Sequence, residues 1–215
     1  MLWSLCDALG SMGMSVVVLD GSATESMHNP GLRQILLRPN LLTTLVAETT
    51  PWTVMPAADG LEQVVAALGQ HGSASVLLGE LFAHTDVVLL YAPTPLLVAL
   101  LPDASVHPLL TLDADAESLL ANYQSYKQIV LQTLMQPAVA AINVVAASEG
   151  PSGATVAQAL RRCAHNFLGR EPDWVALDLT SASEDESGDD VVRLASRLLE
   201  IAPALRHNVG VRKDH

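Results

Sequence analysis

The strongest constraint on this chain is the alternation of short apolar runs with longer segments of helical periodicity. Val87–Tyr91 is an uninterrupted apolar run of strand length, and similar runs are separated by segments whose apolar residues recur every three to four positions. Strands that alternate with helices along a chain predict crossover connections and parallel pairing. We therefore expect an α/β fold, with a mostly parallel sheet and helices on both faces.

The predicted elements follow one another along most of the chain. The strands are Val16–Leu19, Trp52–Met55, Val87–Tyr91, Val106–Leu112, Ala138–Val145 and Trp174–Leu179. The helices are Leu2–Met12, Leu32–Leu37, Leu41–Val46, Leu61–Leu68, Val76–Phe82, Asp115–Gln132, Thr155–Leu168 and Asp189–Ala202. We expect residues 1–205 to form a single domain and residues 206–215 to form a basic tail.

The charge distribution excludes a broad nucleic-acid surface. The chain has a net charge of −12, and residues 1–126 contain two basic residues against twelve acidic ones. Residues 127–215 contain nine basic residues against eleven acidic ones. A nucleic-acid-binding protein needs a basic patch to neutralise phosphates. We expect no nucleic-acid partner, and any contact with an anion should involve the carboxy-terminal part.

Cysteine usage and the apolar runs predict a soluble, cytoplasmic protein. The only cysteines, Cys6 and Cys163, lie far apart and outside any CxxC motif. No basic residue precedes Arg33, so we expect no signal peptide. The longest apolar stretch, Val87–Leu101, is interrupted by prolines and is shorter than the ~18 residues of a membrane span.

The last predicted helix leaves two interpretations open. One face of Val191–Ala202 is apolar, and basic residues follow it. Such a helix either docks on the sheet or lies reversibly on a membrane surface. Because Asp189, Asp190 and Glu200 would repel anionic lipid, we favour docking. A transient contact of residues 191–205 with the inner membrane is the alternative.

Two polar residues, one after a predicted strand and one inside another, are the candidate binding residues, because ligands of parallel sheets sit at the carboxyl ends of strands. Asp20 follows Val16–Leu19, where it could hold a metal or a catalytic water, or simply form a turn before Gly21. Asn143 lies inside Ala138–Val145, where it could contact a base or make a strand-end hydrogen bond.

No catalytic or metal-ligating residue is predicted. The chain has no G-x-S-x-G motif, and its seven histidines show no metal-binding spacing, so we expect them to be scattered on the surface. The loop at residues 150–155 is glycine-containing and precedes a helix, but it has no lysine. A phosphate-binding loop needs a lysine to offset the phosphate charge, and the whole chain contains only Lys127 and Lys213.

In order and spacing, several segments resemble the MinD/ParA family of deviant-Walker ATPases, most of all its flagellar-number regulators of the FlhG (FleN) group. The likeness covers most of residues 2–180. Residues 2–12 resemble the helix after the phosphate loop, and residues 16–22 the strand ending in D-x-D. The other matches are residues 54–60 to "v-l-P-a-G", 86–93 to the Walker B strand, 116–127 to "E-x-x-S-l-t-d-A-Y-x-l-i-K", 142–145 to "v-v-N-x-v" and 161–169 to the "F-L-G" helix end.

Three departures from the family pattern bear on activity. The phosphate-binding loop (P-loop, Walker A) and the strand before it are absent from this sequence, so the P-loop NTPase fold is expected in a degenerate or truncated form. Tyr91 stands where the Walker B acid would order a magnesium water, and Ser22 replaces the second acid of D-x-D. Of the nucleotide-contacting residues that the resemblance implies, only Asp20 and Asn143 remain.

The resemblance therefore implies a pseudo-ATPase that regulates flagellar number or placement through contacts with proteins. Its partners would be flagellar basal-body or regulatory proteins, and a homodimer is compatible with the resemblance. We expect no bound cofactor, because ATP and Mg²⁺ would need a P-loop supplied upstream of Met1. The alternatives are an active ATPase whose P-loop is encoded upstream, and a ParA-like protein of cellulose synthesis or partition.

Overall fold

The computed structural model describes residues 1–42, 50–71, 73–100, 106–113, 115–143, 153–178 and 184–201. The described chain divides into two compact units. The amino-terminal unit contains Gly13–Ser105, and the carboxy-terminal unit contains Met1–Met12 and Val106–Ala202. Each unit has an α/β architecture with a parallel sheet of three strands.

The amino-terminal unit has the sheet order β2-β1-β3. Its elements are β1 (Val16–Asp20), α2 (Leu32–Leu37), a 3₁₀ turn (Pro39–Leu41), β2 (Trp52–Pro56), α3 (Ala58–His71), α4 (Ala74–Leu81), β3 (Val87–Tyr91) and α5 (Thr94–Leu100). One apolar cluster joins the sheet to these helices and includes Val17, Leu19, Ile35, Leu61 and Leu78. The central strand β1 is buried from Val16 to Leu19, as its unbroken apolar sequence predicts.

The carboxy-terminal unit has the sheet order β4-β5-β6, again parallel. Its elements are α1 (Leu2–Ser11), β4 (Leu109–Asp113), α6 (Ala116–Thr133), β5 (Ala138–Asn143), α7 (Gly153–Leu168), β6 (Asp173–Asp178) and α8 (Glu184–Ile201). On one face, side chains of α6 and α7 pack on Leu112, Val139 and Ala141. On the other face, Leu194 and Leu198 of α8 pack with Ala140 and Leu177, and α1 lies against α8. This sheet therefore has helices on both faces.

Most predicted elements are confirmed within a few residues. The helix at Leu32–Leu37 and the strand at Val87–Tyr91 have the predicted bounds, and all described strand pairs are parallel. The strands pair in two sheets of three rather than in one sheet. Most of the predicted helix Leu41–Val46, the end of the predicted strand Ala138–Val145, and the tail at residues 206–215 lie outside the described residues.

One described helix was not predicted. Helix α5 begins at Thr94, where Pro93 and Pro95 had indicated only an interruption of the apolar run. Proline is tolerated in the first turn of a helix, because the N–H that it lacks would have no partner within the helix there. The two prolines therefore mark the start of α5 rather than a structureless loop.

The long helix α6 shows how local sequence sets its two ends. The Asp115 side chain accepts a hydrogen bond from the backbone N–H of Ser118 at 2.7 Å, which satisfies one of the free donors of the first turn. The helix ends at Leu134, whose φ of 60° places it in the left-handed region.

The apolar face of α8 also behaves as the docking interpretation predicts, since Val191, Leu194 and Ala195 are buried within the unit.

Candidate functional site at the carboxyl ends of β1 to β3

The carboxyl ends of β1, β2 and β3 meet at one edge of the amino-terminal sheet. Asp20 is in register with Pro56 on one side and with Tyr91 on the other. The N–H of Gly21 donates to the Tyr91 carbonyl at 2.7 Å, and the N–H of Ala57 donates to the Asp20 carbonyl at 2.8 Å. The backbone thus holds the three strand ends in fixed register where ligands of parallel sheets bind.

The Asp20 carboxylate is engaged in a local turn. Its Oδ1 accepts the backbone N–H of Ser22 at 2.9 Å and the Ser22 hydroxyl at 2.6 Å. This is an Asx-turn, in which an aspartate caps the backbone two residues further along the chain. The arrangement is the one expected of the turn-forming interpretation, with Ser22 as the donor to Asp20.

Tyr91 places a neutral side chain at the end of β3. The side chain is 53% exposed and lies next to the end of β1 through the pairing of Tyr91 with Asp20. A phenol supplies neither the negative charge nor the paired oxygens with which a carboxylate holds a divalent cation. Among the residues that end β1, β2 and β3, namely Asp20, Pro56 and Tyr91, only Asp20 carries a charge.

Glu25 is the polar residue near this edge that sequence reasoning missed. It is only 9% exposed, and its carboxylate accepts three backbone N–H groups. Oε1 accepts from Arg33 at 3.1 Å and from Gly60 at 2.9 Å, and Oε2 accepts from Asp59 at 2.8 Å. These donors lie in the first turns of α2 and α3, where N–H groups lack partners within the helix. Glu25 therefore ties two helix starts to the loop after β1.

Two glycines make room for this arrangement. A Cβ on Gly31 would lie 1.9 Å from the Pro56 carbonyl oxygen and 2.8 Å from Cγ of Glu25. A Cβ on Gly60 would lie 2.7 Å from the backbone nitrogen of Arg33. Any other residue would displace backbone at either position, so the glycines are required for close approach of the two helix starts. Both glycines are visible in the sequence, one before α2 and one in the first turn of α3. Because they lie in separate segments, the sequence did not show that they make room for the same contact.

The one described basic side chain at this edge is paired. Nη1 of Arg33 lies 3.5 Å from Oδ2 of Asp59, and both side chains are partly exposed. Exposed pairs of this kind contribute little to stability, about 0–1 kcal/mol. The pair matters more for binding than for stability. The Arg33 guanidinium, which could neutralise an anion near Glu25, already faces the Asp59 carboxylate.

The second predicted binding residue lies in the other unit. Asn143 is the last described residue of β5 and is in register with Asp178 of β6. Asp20 belongs to the amino-terminal unit and Asn143 to the carboxy-terminal unit. The nucleotide-contacting roles of Asp20 and Asn143 remain predictions.

His107 is an exception to the expectation that the histidines are scattered on the surface. It is half-buried just before β4, and its Nε2 is buried without a hydrogen-bond partner among the described residues. Asp173 and Arg197, which are paired by a hydrogen bond, line the same small pocket as His107. Burial lowers the pKa of His107; Asp173 opposes this shift and Arg197 adds to it. The imidazole is thus favoured in its neutral form.

The thiol of Cys6 is in an environment that disfavours its reaction. Cys6 is buried in α1, and burial, aided by the nearby charge of Asp7, raises the pKa of its thiol to about 11. A thiol in this state is poorly reactive, because the thiolate is the nucleophile. The described residues also contain no group of three or more side chains able to hold a metal ion.

The chain matches no model of a known protein family, and no curated protein matches it. No helix in the described part of the chain combines the length and apolar character needed to cross a membrane.

Proposed function

We propose that this chain is a non-hydrolysing regulator of the MinD/FlhG type, which affects flagellar number or placement by binding other proteins. The proposal starts from the resemblance of its segments to that family and is compatible with the α/β architecture of parallel strands. In the same proposal the fold is a P-loop NTPase fold without its phosphate loop. The protein acts in the cytoplasm or at the inner face of the membrane.

The observation that carries the proposal is the chemistry of the strand ends. Asp20 is bound within its own turn, and its neighbour in register, Tyr91, is neutral. Phosphoryl transfer depends on positioned cations and on acids that hold Mg²⁺, because there is little covalent chemistry for the protein to do. With two lysines in the whole chain and one acid at these strand ends, the means to stabilise that transition state are few.

The first test is the ATPase rate of the purified chain with Mg²⁺. We expect a rate equal to that of buffer alone and no change in the Asp20→Asn variant. A rate above background that falls in Asp20→Asn would overturn the proposal in favour of an active ATPase. Adding Mg²⁺-ATP should also leave the sedimentation velocity unchanged, because no nucleotide-dependent dimer is expected.

The second test concerns the pathway. Cells of the source organism that lack the chain should differ from the wild type in the number or position of their flagella when counted by electron microscopy. Re-expression of the chain and of its Asp20→Asn variant should restore the wild-type count equally well. An unchanged count in cells lacking the chain would refute the flagellar assignment, whatever the ATPase assay shows.

A further inference from the structure

A cluster of titratable groups lies under α8, at the amino ends of β4, β5 and β6. His107, just before β4, lines a small pocket together with Asp173 of β6 and Arg197 of α8. The rest of the pocket wall is apolar and consists of Ala138, Val139, Val175, Leu194 and Leu198. All these residues belong to the carboxy-terminal unit, so the pocket is internal to that unit.

Asp173 is the hydrogen-bond acceptor of this cluster. Nη2 of Arg197 donates to Oδ2 of Asp173, and the pair joins α8 to the start of β6. Nε2 of His107 is buried and has no hydrogen-bond partner among the described residues. Strand β5 contributes only apolar side chains to the pocket, so Asp173 and Arg197 are the charged groups that face the imidazole among the described lining residues.

Protonation of His107 would change this arrangement. A neutral imidazole carries a hydrogen on one nitrogen, whereas a protonated imidazole donates from both. Protonation therefore ensures a donor at the buried Nε2, in the pocket that Arg197 also lines. The volume open to water there is about 10 Å³, which leaves room for about one molecule to hydrate the new charge. The imidazolium and the guanidinium must then compete for the Asp173 carboxylate.

Helix α8 is the wall of the pocket that yields most easily. Strands β5 and β6 pair over Ala138–Asn143 and Asp173–Asp178, so neither can move without breaking ladder hydrogen bonds. Helix α8 packs on this sheet through side chains such as Leu194 and Leu198. Its pair with Asp173 is partly exposed, and exposed pairs contribute little to stability. An element held in this way opens locally before the whole unit unfolds.

We propose that His107 is an acid-sensitive latch, whose protonation draws the Asp173 carboxylate away from Arg197 and releases the carboxy-terminal half of α8 from the sheet. Burial lowers the pKa of His107 while α8 is docked, so release follows as the pH falls from 6.5 through that lower value. Release exposes Leu194 and Leu198, which pack on the sheet while His107 is neutral. The inference goes beyond the proposed function and holds whichever pathway the chain serves.

Hydrogen exchange of the backbone amides in the full chain, followed by mass spectrometry, tests the latch. Exchange is measured at neutral pH and at successive values below 6.5, and is corrected for its intrinsic pH dependence. We expect peptides from residues 194–201 to lose protection severalfold on acidification, whereas peptides from α7, on the other face of the sheet, keep theirs. Each unit between the docked and released pKa values of His107 permits at most about a tenfold loss.

A variant of the titrating residue and a matched control identify the source of the response. His107→Phe keeps an aromatic ring but cannot be protonated, so residues 194–201 should keep their protection as the pH falls. His28→Phe, at an exposed loop position of the other unit, should respond like the wild type. Circular dichroism verifies the fold of each variant.

The competition for Asp173 is tested by the variant Arg197→Gln. Without the guanidinium, Asp173 is free to accept from the protonated imidazole. We expect lower protection of residues 194–201 at neutral pH, because the pair with Asp173 is lost, but a markedly smaller further loss on acidification. An NMR titration of His107 should show a higher pKa than in the wild type, since Arg197 lowers it. This variant also tests the latch if His107→Phe does not fold.

Four outcomes would overturn this proposal. They are unchanged protection of residues 194–201 in the wild type below pH 6.5, an equal loss of protection in α7, an acid response of His107→Phe as large as that of the wild type, and an equally large response of Arg197→Gln. The ATPase rate and the flagellar count bear only on the proposed function, so the two failures are distinguishable.

Discussion

The two units bury polar groups in opposite ways. In the amino-terminal unit, the buried Glu25 carboxylate receives three backbone N–H groups from two helix starts. In the carboxy-terminal unit, the buried Tyr126 hydroxyl and His107 Nε2 have no hydrogen-bond partner among the described residues. A buried polar group stabilises a fold only when its partners replace the lost water. The comparison teaches that Glu25 should contribute to stability, whereas the other two polar atoms should reduce it.

Removing the Glu25 carboxylate should have the largest effect. Glu25→Ala leaves three backbone donors without their acceptor, and we expect it to lower the free energy of unfolding by about 3 kcal/mol. Glu25→Gln keeps one carbonyl acceptor and should lose about half as much. Urea denaturation followed by circular dichroism measures both. A loss in Glu25→Ala no greater than that of an exposed surface substitution would refute the role given to Glu25.

The second-largest loss of stability is expected from a substitution at Gly31, the glycine that makes room for Glu25. In Gly31→Ala the new methyl group would lie 1.9 Å from the Pro56 carbonyl oxygen, so the start of α2 must shift. We expect a loss of about 2 kcal/mol in the free energy of unfolding, typical of overpacking. The control is Gly169→Asn, at a positive-φ position where a Cβ would meet nothing within 4 Å and where asparagine is tolerated. Similar losses in the two variants would show that close packing at Gly31 is not the cause.

Removing the Tyr126 hydroxyl should raise the free energy of unfolding rather than lower it. Tyr126 is completely buried beside Val130 and Ala164, and its hydroxyl has no described partner. Tyr126→Phe keeps the ring and removes the desolvated hydroxyl, so we expect the free energy of unfolding to rise by about 1 kcal/mol. Thermal unfolding measures the change. If Tyr126→Phe destabilises the chain, the hydroxyl must have a partner and the contrast with Glu25 fails.

The smallest effect is a pH dependence from His107. Burial lowers its pKa in the folded state below the ordinary value of 6.5, so the folded chain binds a proton less readily than the unfolded chain. Its contribution to stability is therefore complete above pH 6.5 and is lost as the pH falls from there through the lower folded pKa. Asp173 and Arg197 are the charged groups that face it, and Arg197 donates a hydrogen bond to Asp173.

Denaturation midpoints measured as the pH falls below 6.5 should therefore decline less steeply in His107→Phe than in the wild type. His28→Phe, at an exposed loop position, is the matched control and should follow the wild type. Parallel curves for the wild type and His107→Phe would exclude His107 as a source of acid sensitivity.

Much of the fold could be predicted because its signals are local. The apolar run Val87–Tyr91 and the periodicity of Leu32–Leu37 predicted β3 and α2 with their observed bounds. The Asp115 cap lies three residues from the N–H that it accepts. The candidate site was predicted only in part. The place of Asp20 in the chain located it at a strand end, but the sequence left open whether its carboxylate binds a ligand or forms a turn, and the hydrogen bond from Ser22 shows the turn.

The sequence by itself determined where most of the described strands and helices form, that these strands run parallel, and that one acid lies at the end of β1, because periodicity and turn residues act over a few positions. Only the tertiary structure decided that Glu25 accepts from Asp59 and Gly60, 34 and 35 residues away, and that Asp173 and Arg197 share a pocket with His107. It also decided that β3 pairs with β1, which is 71 residues earlier in the chain at the paired ends Ser15 and Asp86. Strand order and the partners of a buried polar group depend on which distant segments fold together, and no spacing within one segment records that.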